Sequence, residues 1–264
     1  MSEAHFPIRP YTYATNGGWC VGVVVPCRGD AELLHSCLAS LRVELRDKDR
    51  LVVTNSDGDT HTTAIAREFG AICVTSENSS RGLAIAAGVR ELFYDFTEGA
   101  MTGGLVAENR VDCLLLAHAD MVFPRGWRRR LELGLNKNPA LGWGAFGHTI
   151  ADPRNRFRLL EAGNTWRATF WQIPFGDQAM FVRTAALKRI GGFPIQEKYE
   201  DLELALRLKA IGPPLFLDYP VMTSARHWDH GTNIRTLRNW YILAFYRAGW
   251  LAGNRSEKVP SQKR

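Results

Sequence analysis

The chain has 264 residues, of which 45% are hydrophobic and 23% charged, as is ordinary for a soluble globular protein with one large domain or two small ones. No apolar run approaches the roughly 20 residues that a membrane-spanning helix needs, so the composition excludes one. The net charge of +6 suits a phosphorylated small molecule, an anionic membrane surface or nucleic acid, but no nucleic-acid-binding signature accompanies it.

The N-terminus and the cysteines indicate the compartment. Residues 1–19 contain no apolar stretch preceded by positive charge, so we expect no signal peptide. The five cysteines are scattered, odd in number and without a C-x-x-C pair. They predict free thiols in a reducing cytoplasm rather than disulfides or a zinc site.

From Val21 onward, short β-branched runs alternate with segments of helical periodicity. Such alternation predicts an α/β fold with a parallel sheet and right-handed crossovers. The predicted strands are 21–26, 50–55, 71–75 and 111–120, and the predicted helices between them are 30–42, 60–70 and 81–96.

The regular order stops after the third helix. Glycines and polar residues predict a surface loop or insertion over 97–110. Beyond it we expect a helix around 131–135, a strand at 144–150, an arginine-rich segment, a helix at 200–212, a strand at 214–219 and a last helix at 236–253.

An acid ends the apolar run Leu114–Ala117. Asp120 lies where the strand stops, and a carboxylate at a core edge is costly unless it is paired, solvated or bound to a metal. Ligands of open parallel sheets bind beyond the carboxyl ends of the strands. Segments 26–28, 55–59 and 118–120 all follow predicted strands. We therefore expect Asp120 to face a shared crevice.

Short motifs along the chain resemble the GT-A-fold glycosyltransferases of family 2, in particular the subgroup associated with radical-SAM and selenium-domain proteins. They are, in order, VVVPCRGD, LLLAHADMVFPRGW, PFGDQAMFVR, GGFP, YEDLELALRL and TSARHW. The resemblance covers about Val21 to Gly249 and implies a mostly parallel twisted sheet flanked by helices. It predicts an extension over residues 1–20, a catalytic domain over 21–252 and a polar tail over 253–264. The donor-binding half would be 21–127 and the acceptor half 128–252.

In that family a shortened Asp-x-Asp motif carries the divalent cation that bridges the diphosphate of a nucleotide sugar. The resemblance places this motif at His118-Ala119-Asp120, with Asp120 as ligand of Mn²⁺ or Mg²⁺ and His118 and Ala119 beside the donor. Carboxylate oxygens suit such hard cations. The alternative is an aspartate that only caps the following turn.

The acids Glu200 and Asp201 begin a predicted helix. The resemblance implies that Asp201 is the general base that deprotonates an acceptor hydroxyl and that Glu200 orients it. The alternative is that both acids only complement the helix dipole, worth about 0.3–1 kcal/mol.

Acceptor and late-chain residues follow from the same resemblance. Asp177 and Gln178 would bind the acceptor together with Trp228, and Arg226 would hold the diphosphate, since a guanidinium matches phosphate oxygens. His227 is the second metal candidate; His230 stays an alternative to it.

The donor side departs from the family pattern, which usually has an aspartate directly after the second strand. This chain reads Thr-Asn-Ser-Asp there, so the base is left open. Arg81 opens a helix and suits an anion. The expected donor-side residues are Pro26, Arg28, Asn55, Asp57 and Arg81.

The sequence thus predicts an inverting, metal-dependent glycosyltransferase with a UDP- or GDP-sugar donor and a hydroxyl acceptor. A nucleotidyltransferase and an inactive sugar-nucleotide binder are the alternatives. We expect a cytoplasmic enzyme with no nucleic-acid partner and leave a homodimer open. The aromatic helix 236–253 would be core or interface, or would lie on the inner face of the membrane.

Overall fold

The computed structural model describes residues 18–76, 80–102 and 111–228, with only the backbone of 94–102 and 227–228. The strands are β1 (Val21–Cys27), β2 (Arg50–Asn55), β3 (Ile72–Thr75), β4 (Cys113–Leu116), β5 (Met121–Val122), β6 (Trp143–Ile150), β7 (Met180–Arg183) and β8 (Leu215–Thr223). The α-helices are α1 (Ala31–Arg42), α2 (Thr60–Glu68), α3 (Arg81–Thr102), α4 (Trp127–Lys137), α5 (Asn155–Trp171), α6 (Thr184–Arg189) and α7 (Glu200–Lys209).

The chain divides into two units, Met1–Ser224 and Ala225–Arg264. The first unit contains the whole sheet. The described part of the second unit is a short 3₁₀ helix, Ala225–Trp228. The predicted C-terminal helix at 236–253 lies outside the described residues, and so does the polar tail.

The sheet has eight strands in the order β3-β2-β1-β4-β7-β6-β8-β5. Its first four strands are parallel, with Val23 of β1 opposite Leu51 on one side and Leu115 on the other. Val21 and Val23 to Val25 have no exposed surface, because layers of helices cover both faces of β1. The predicted parallel half is confirmed.

The second half of the sheet is mixed. Strand β7 runs antiparallel between β4 and β6, while β6 and β8 are parallel, with an irregularity between Phe146 and Gly147. The two-residue strand β5 pairs antiparallel with the end of β8. The strand order and the flanking helices confirm the predicted α/β class with a mostly parallel central sheet.

Two expectations about helices are corrected. The loop predicted from residue 97 is wrong over its first six residues, because α3 continues to Thr102. The alanine and methionine in this stretch favour helix and outweigh the single glycine. The arginine-rich segment, for which we predicted no helix, forms the 17-residue helix α5.

Helix α3 packs very closely on the sheet. A Cβ atom at Gly88 would lie 2.6 Å from Val24 Cγ1, and one at Gly22 would lie 2.4 Å from Leu92 Cδ2. Larger residues at these two glycines would push α3 away from β1. The close packing fixes the position of Arg81 at the beginning of α3, beside the carboxyl ends of the strands.

A buried ion pair connects α4 to the strands. Arg128 donates hydrogen bonds to both carboxylate oxygens of Asp49, to Glu132 and to the Trp19 carbonyl. The Asp49 carboxylate, which has no exposed surface, also accepts from Val21 N. Among the described residues, no helix is long and apolar enough to cross a membrane.

Candidate active site

The loops after β1 and β2 are tied together at the expected donor side. Asp57 Oδ2 accepts a hydrogen bond of 2.7 Å from Gly29 N, whose positive φ places it in a tight turn. The exposed Arg28 makes no ion pair within the described part of the chain, and Pro26 is half-buried. Asp57 and Arg28 are therefore the side chains of these loops that remain open to a ligand.

Asn55, also expected at the donor, is buried, and its side chain is already hydrogen-bonded within the protein. Its amide donates to the Asp59 carbonyl at 2.8 Å and to Thr63 Oγ1 at 3.1 Å, and its oxygen accepts from Asp59 N at 3.2 Å. The amide therefore shapes the loop that leads into α2.

The His118–Asp120 turn directly follows β4. Met121 N donates to the His118 carbonyl at 3.0 Å, and Ser224 N donates to the Asp120 carbonyl at 3.2 Å. These bonds hold the turn between β4 and the end of β8. Within residues 18–228 as described, the partly exposed Asp120 carboxylate has neither a hydrogen bond nor an ion pair.

The two acids at the beginning of α7 face Arg81 of α3. Arg81 Nε lies 2.7 Å from Glu200 Oε1, and Arg81 Nη2 lies 3.5 Å from Asp201 Oδ2. Asp201 also accepts hydrogen bonds from Gly176 N at 2.9 Å and Leu202 N at 2.8 Å. The Glu200 side chain is 1% exposed and that of Asp201 15%, so Asp201 is the acid that a ligand can reach.

This arrangement shifts the two pKa values in opposite directions. Burial and the neighbouring Asp201 raise the pKa of Glu200, although Arg81 opposes them. Burial alone would raise the pKa of Asp201 too, but Arg81, the Gly176 and Leu202 amides and His118 lower it overall. Asp201 is therefore ionised at neutral pH and can accept a proton.

Gly176 is the point where the elements of the site meet. A Cβ atom at this position would lie 2.8 Å from His118 Nε2 and 3.2 Å from Asp201 Oδ2. Only glycine therefore lets the His118 imidazole and the Asp201 carboxylate approach the same backbone. Burial and Arg81 lower the pKa of His118, which favours the neutral imidazole. The structure thus brings together His118, Glu200, Asp201 and Arg81.

The expected acceptor residues lie on the 3₁₀ helix Gly176–Gln178. The Asp177 side chain is 28% exposed, and its Oδ2 lies 4.0 Å from His148 Nε2. Gln178 is buried, and its Oε1 accepts from Phe175 N at 3.3 Å and from Arg167 at 3.4 Å. Asp177 is thus the more accessible of the two predicted acceptor ligands.

Arg167 and His148 also lie at this side of the site, and neither was predicted from the sequence. Arg167 is buried with its guanidinium over the Phe175 ring, and it donates to the Ile173 carbonyl at 3.0 Å. Burial lowers the pKa of Arg167 to about 10, although the Asp177 carboxylate favours the charged form and opposes this shift. The one available signal was an arginine within the aromatic stretch TWRATFW, because an arginine that is buried needs specific partners.

The remaining expected residues lie in the second unit. Arg226 is exposed on the 3₁₀ helix Ala225–Trp228. The side chains of His227 and Trp228, like all of His230, lie outside the described residues. Among those that are described, no group of three or more histidines, cysteines, aspartates and glutamates is placed to hold a metal ion.

Solved structures with the same fold are known. No family model and no curated protein sequence matches the chain. A mannosyltransferase from Pyrobaculum calidifontis, solved with GDP-Man and Mn²⁺, superimposes with a TM-score of 0.57 at 20% identity, over 96% of this chain and 68% of that one.

Staphylococcus aureus TarS 1–349 is similar as well. It gives a TM-score of 0.54 at 14% identity over 78% of this chain. Its complex with UDP-GlcNAc gives 0.55 at 13% identity over the same share. The matched region spans 60% and 58% of those two chains. The chain therefore has the GT-A fold of nucleotide-sugar glycosyltransferases.

Proposed function

We propose that the protein is a metal-dependent glycosyltransferase that moves a sugar from a nucleotide-diphosphate donor to an acceptor hydroxyl. One observation carries the proposal: an ionised, partly exposed Asp201 and the His118–Asp120 turn converge at Gly176, at the carboxyl end of a GT-A sheet. The solved structures of the same fold support it, since two of them hold GDP-Man with Mn²⁺ and UDP-GlcNAc.

The Asp120 carboxylate fits a divalent cation. Its oxygens are hard donors, and among the described residues they have no partner, so they remain free for Mn²⁺ or Mg²⁺. His227 is the second ligand that we propose. A bound cation would supply charge neutralisation at the diphosphate, which makes it a better leaving group.

Asp201 acts as general base in this proposal. The acceptor oxygen attacks the anomeric carbon, its proton passes to the Asp201 carboxylate, and the bond to the diphosphate breaks, with inversion at the sugar. The ionised state of Asp201 at neutral pH meets the first requirement of a general base, and its partly exposed side chain allows contact with an acceptor. Glu200 is too deeply buried to reach a substrate.

Arg81, which we expected beside the donor, contacts the two acids of α7. Its guanidinium lies 2.7 Å from Glu200 and 3.5 Å from Asp201, and its side chain is 48% exposed. We infer that Arg81 is a positioning residue, which holds the two acids and keeps Asp201 ionised.

The finer assignments belong to the same proposal. Asp177 and Gln178 would bind the acceptor with Trp228, and Ala119 would lie beside the donor. Membership of family 2 and of its radical-SAM-associated subgroup rests on the sequence motifs. A cytoplasmic location is supported by the five free cysteines. The donor-side residues are Pro26, Arg28, Asn55, Asp57, His118 and Arg226.

Thermal shift with nucleotides tests the donor and the metal together. UDP, GDP and CTP are each added with and without Mn²⁺ to the wild type, to Asp120→Ala and to Asp218→Ala, a matched control at an exposed carboxylate in β8. We expect Mn²⁺-dependent stabilisation by UDP or GDP, lost in Asp120→Ala and kept in the control. Stabilisation by CTP alone would favour a nucleotidyltransferase, and equal binding by Asp120→Ala would refute the metal assignment.

Nucleotide-sugar hydrolysis then separates an enzyme from an inactive binder. A panel of UDP- and GDP-sugars is incubated with the protein and Mn²⁺, and release of the nucleoside diphosphate is measured. Slow, metal-dependent release from one donor is expected, because water can replace the acceptor hydroxyl. Tight binding of every donor without release would leave a sugar-nucleotide-binding protein.

A further inference from the structure

Helix α5 has an unusually apolar outer side. Leu159, Trp166 and Phe170 are 76%, 48% and 72% exposed, and their spacing of seven and four residues places them in one stripe along the helix. The Trp166 and Phe170 rings stack, with centroids 5.3 Å apart and planes within 10°. The stripe therefore forms a continuous apolar surface.

The inner side of the same helix already provides its packing. Phe157, Arg167 and Ala168 are buried, and Arg167 is fixed by the hydrogen bonds of the acceptor side. The outer aromatic residues are thus not needed to attach α5 to the sheet. Large apolar side chains that are exposed over several turns of a helix indicate a binding surface.

The charges around the stripe are arranged by sign. Asp152 and Glu161 lie inward, with side chains 15% and 14% exposed, whereas their ion-pair partners Arg154 and Arg158 are 48% and 46% exposed. Arg156 is exposed as well. The outer side of α5 and of the residues leading into it therefore presents arginines to solvent and keeps its carboxylates beneath them.

We propose that the outer side of α5 is a docking surface for an anionic lipid bilayer. Tryptophan, phenylalanine and leucine on one side of a helix, with arginines around them, are the composition of helices that lie in the membrane interface. Because Phe157, Arg167 and Ala168 of α5 are buried in the domain, the attachment that we propose through its outer side is peripheral. The proposal concerns binding only and does not depend on the proposed reaction.

A second copy of the chain is the less favourable occupant. A two-fold interface on this surface would place the two sets of arginines against each other, and like charges in an interface oppose association. Anionic headgroups instead complement Arg154, Arg156 and Arg158, and the whole chain carries a net charge of +6.

Vesicle sedimentation of the full chain tests the surface. The wild type should sediment with an equal mixture of phosphatidylcholine and phosphatidylglycerol at about 0.1 M salt, and less at higher salt because the attraction is screened. It should stay in solution with phosphatidylcholine alone. The double variant Trp166→Ser, Phe170→Ser should bind with a partition coefficient lower by about tenfold or more.

Matched variants separate this surface from the rest of the chain. Val43→Ser, Ile195→Ser removes two exposed apolar side chains elsewhere and should bind like the wild type. Arg156→Gln should weaken binding several-fold, whereas Arg67→Gln, at an exposed arginine of α2, should not. Circular dichroism verifies that each variant is folded.

Three results would overturn the proposal. They are no sedimentation of the wild type at low salt, sedimentation of the Trp166→Ser, Phe170→Ser variant equal to that of the wild type, and a change from dimer to monomer in this variant by light scattering without an effect on vesicle binding. The second result would attribute the binding to another part of the chain, and the third would assign the surface to a second copy.

Discussion

Two clusters in this protein each contain one arginine and two carboxylates, but they differ in how fully the carboxylate oxygens are hydrogen-bonded. In the first, Arg128 contacts Asp49 and Glu132, and each oxygen of the fully buried Asp49 carboxylate accepts two hydrogen bonds. In the second, Arg81 contacts Glu200 and Asp201. There, the buried Glu200 Oε2 has no hydrogen-bond partner among the described residues, and Asp201 is partly exposed.

This difference in hydrogen bonding indicates that the Arg128 cluster stabilises the fold and that the Arg81 cluster can take part in chemistry. Every polar atom that Asp49 offers is used, so the Arg128 cluster has nothing left with which to bind a ligand. In the Arg81 cluster, burial and Asp201 raise the pKa of Glu200, whereas Arg81, two backbone amides and His118 lower the pKa of Asp201. Paired acids with separated pKa values are typical of catalytic sites.

The largest effect is expected at the exposed acid of the second cluster. Asp201→Asn is nearly isosteric but cannot accept a proton, so turnover should fall by about 10²–10⁴-fold while donor affinity is kept. Glu203→Gln, two residues further along α7 and paired with Arg207, is the matched control and should retain activity. Steady-state kinetics and thermal shift with the donor measure both quantities.

If Asp201→Asn instead turned over within a few-fold of the wild type, the general base would lie elsewhere. Asp177 is then the next residue to replace, because it is a partly exposed carboxylate among the expected acceptor residues.

Replacing the arginine of the first cluster should lower the free energy of unfolding. Arg128→Met removes the only cation of the pair and leaves the Asp49 charge buried, which costs about 3–5 kcal/mol of the free energy of unfolding. Arg129→Met changes the exposed neighbour and should cost less than about 0.5 kcal/mol. Urea unfolding of the three proteins measures the difference. A loss below about 1 kcal/mol in Arg128→Met would show that the pair contributes little.

Replacing the arginine of the second cluster should change the pH dependence of kcat/KM. Asp201 faces Arg81, Glu200, His118 and Arg167, and Arg81 is the cation that lowers its pKa most. Arg81→Gln should therefore raise the pKa of Asp201 and move the acidic limb of kcat/KM to higher pH by about one unit or more. Arg81→Lys should keep part of the shift. Unfolding should be affected less than in Arg128→Met, because Glu200 can take up a proton.

The pH profile of kcat/KM, with stability measured in parallel, decides the role of Arg81. An acidic limb that stays in place while the donor KM rises would return Arg81 to the donor side. A loss of stability without a change in the profile would make it a purely structural residue.

Local patterns were sufficient to predict the parallel half of the fold and the acids at its edge. Strands β1, β2 and β4 are buried on both faces, so their apolar runs are unambiguous, and parallel pairing brings their ends to one edge. The contacts of Arg81 with Glu200 and Asp201 were not predictable, because 119 and 120 positions separate the partners and no local rule pairs them.

Two further features could not be read from the sequence for different reasons. Helix α5 has apolar residues on both sides, so its pattern lacks the periodicity that indicates a helix. The role of Gly176 depends on the approach of His118 and Asp201 from other elements, and a glycine in a loop gives no sign of it.

The smallest effect is expected in the loops after β1 and β2. Asp57 Oδ2 accepts from Gly29 N at 2.7 Å and Oδ1 accepts from Asp59 N at 3.5 Å, while the residue stays exposed. Asp57→Ala should raise the KM for the nucleotide sugar several-fold and leave kcat unchanged, because the acids at Arg81 are untouched and only uniform donor binding is lost. Donor-dependent initial rates measure both constants, with Asp218→Ala as control. A KM equal to that of the wild type would show that Asp57 only connects the two loops and does not bind the donor.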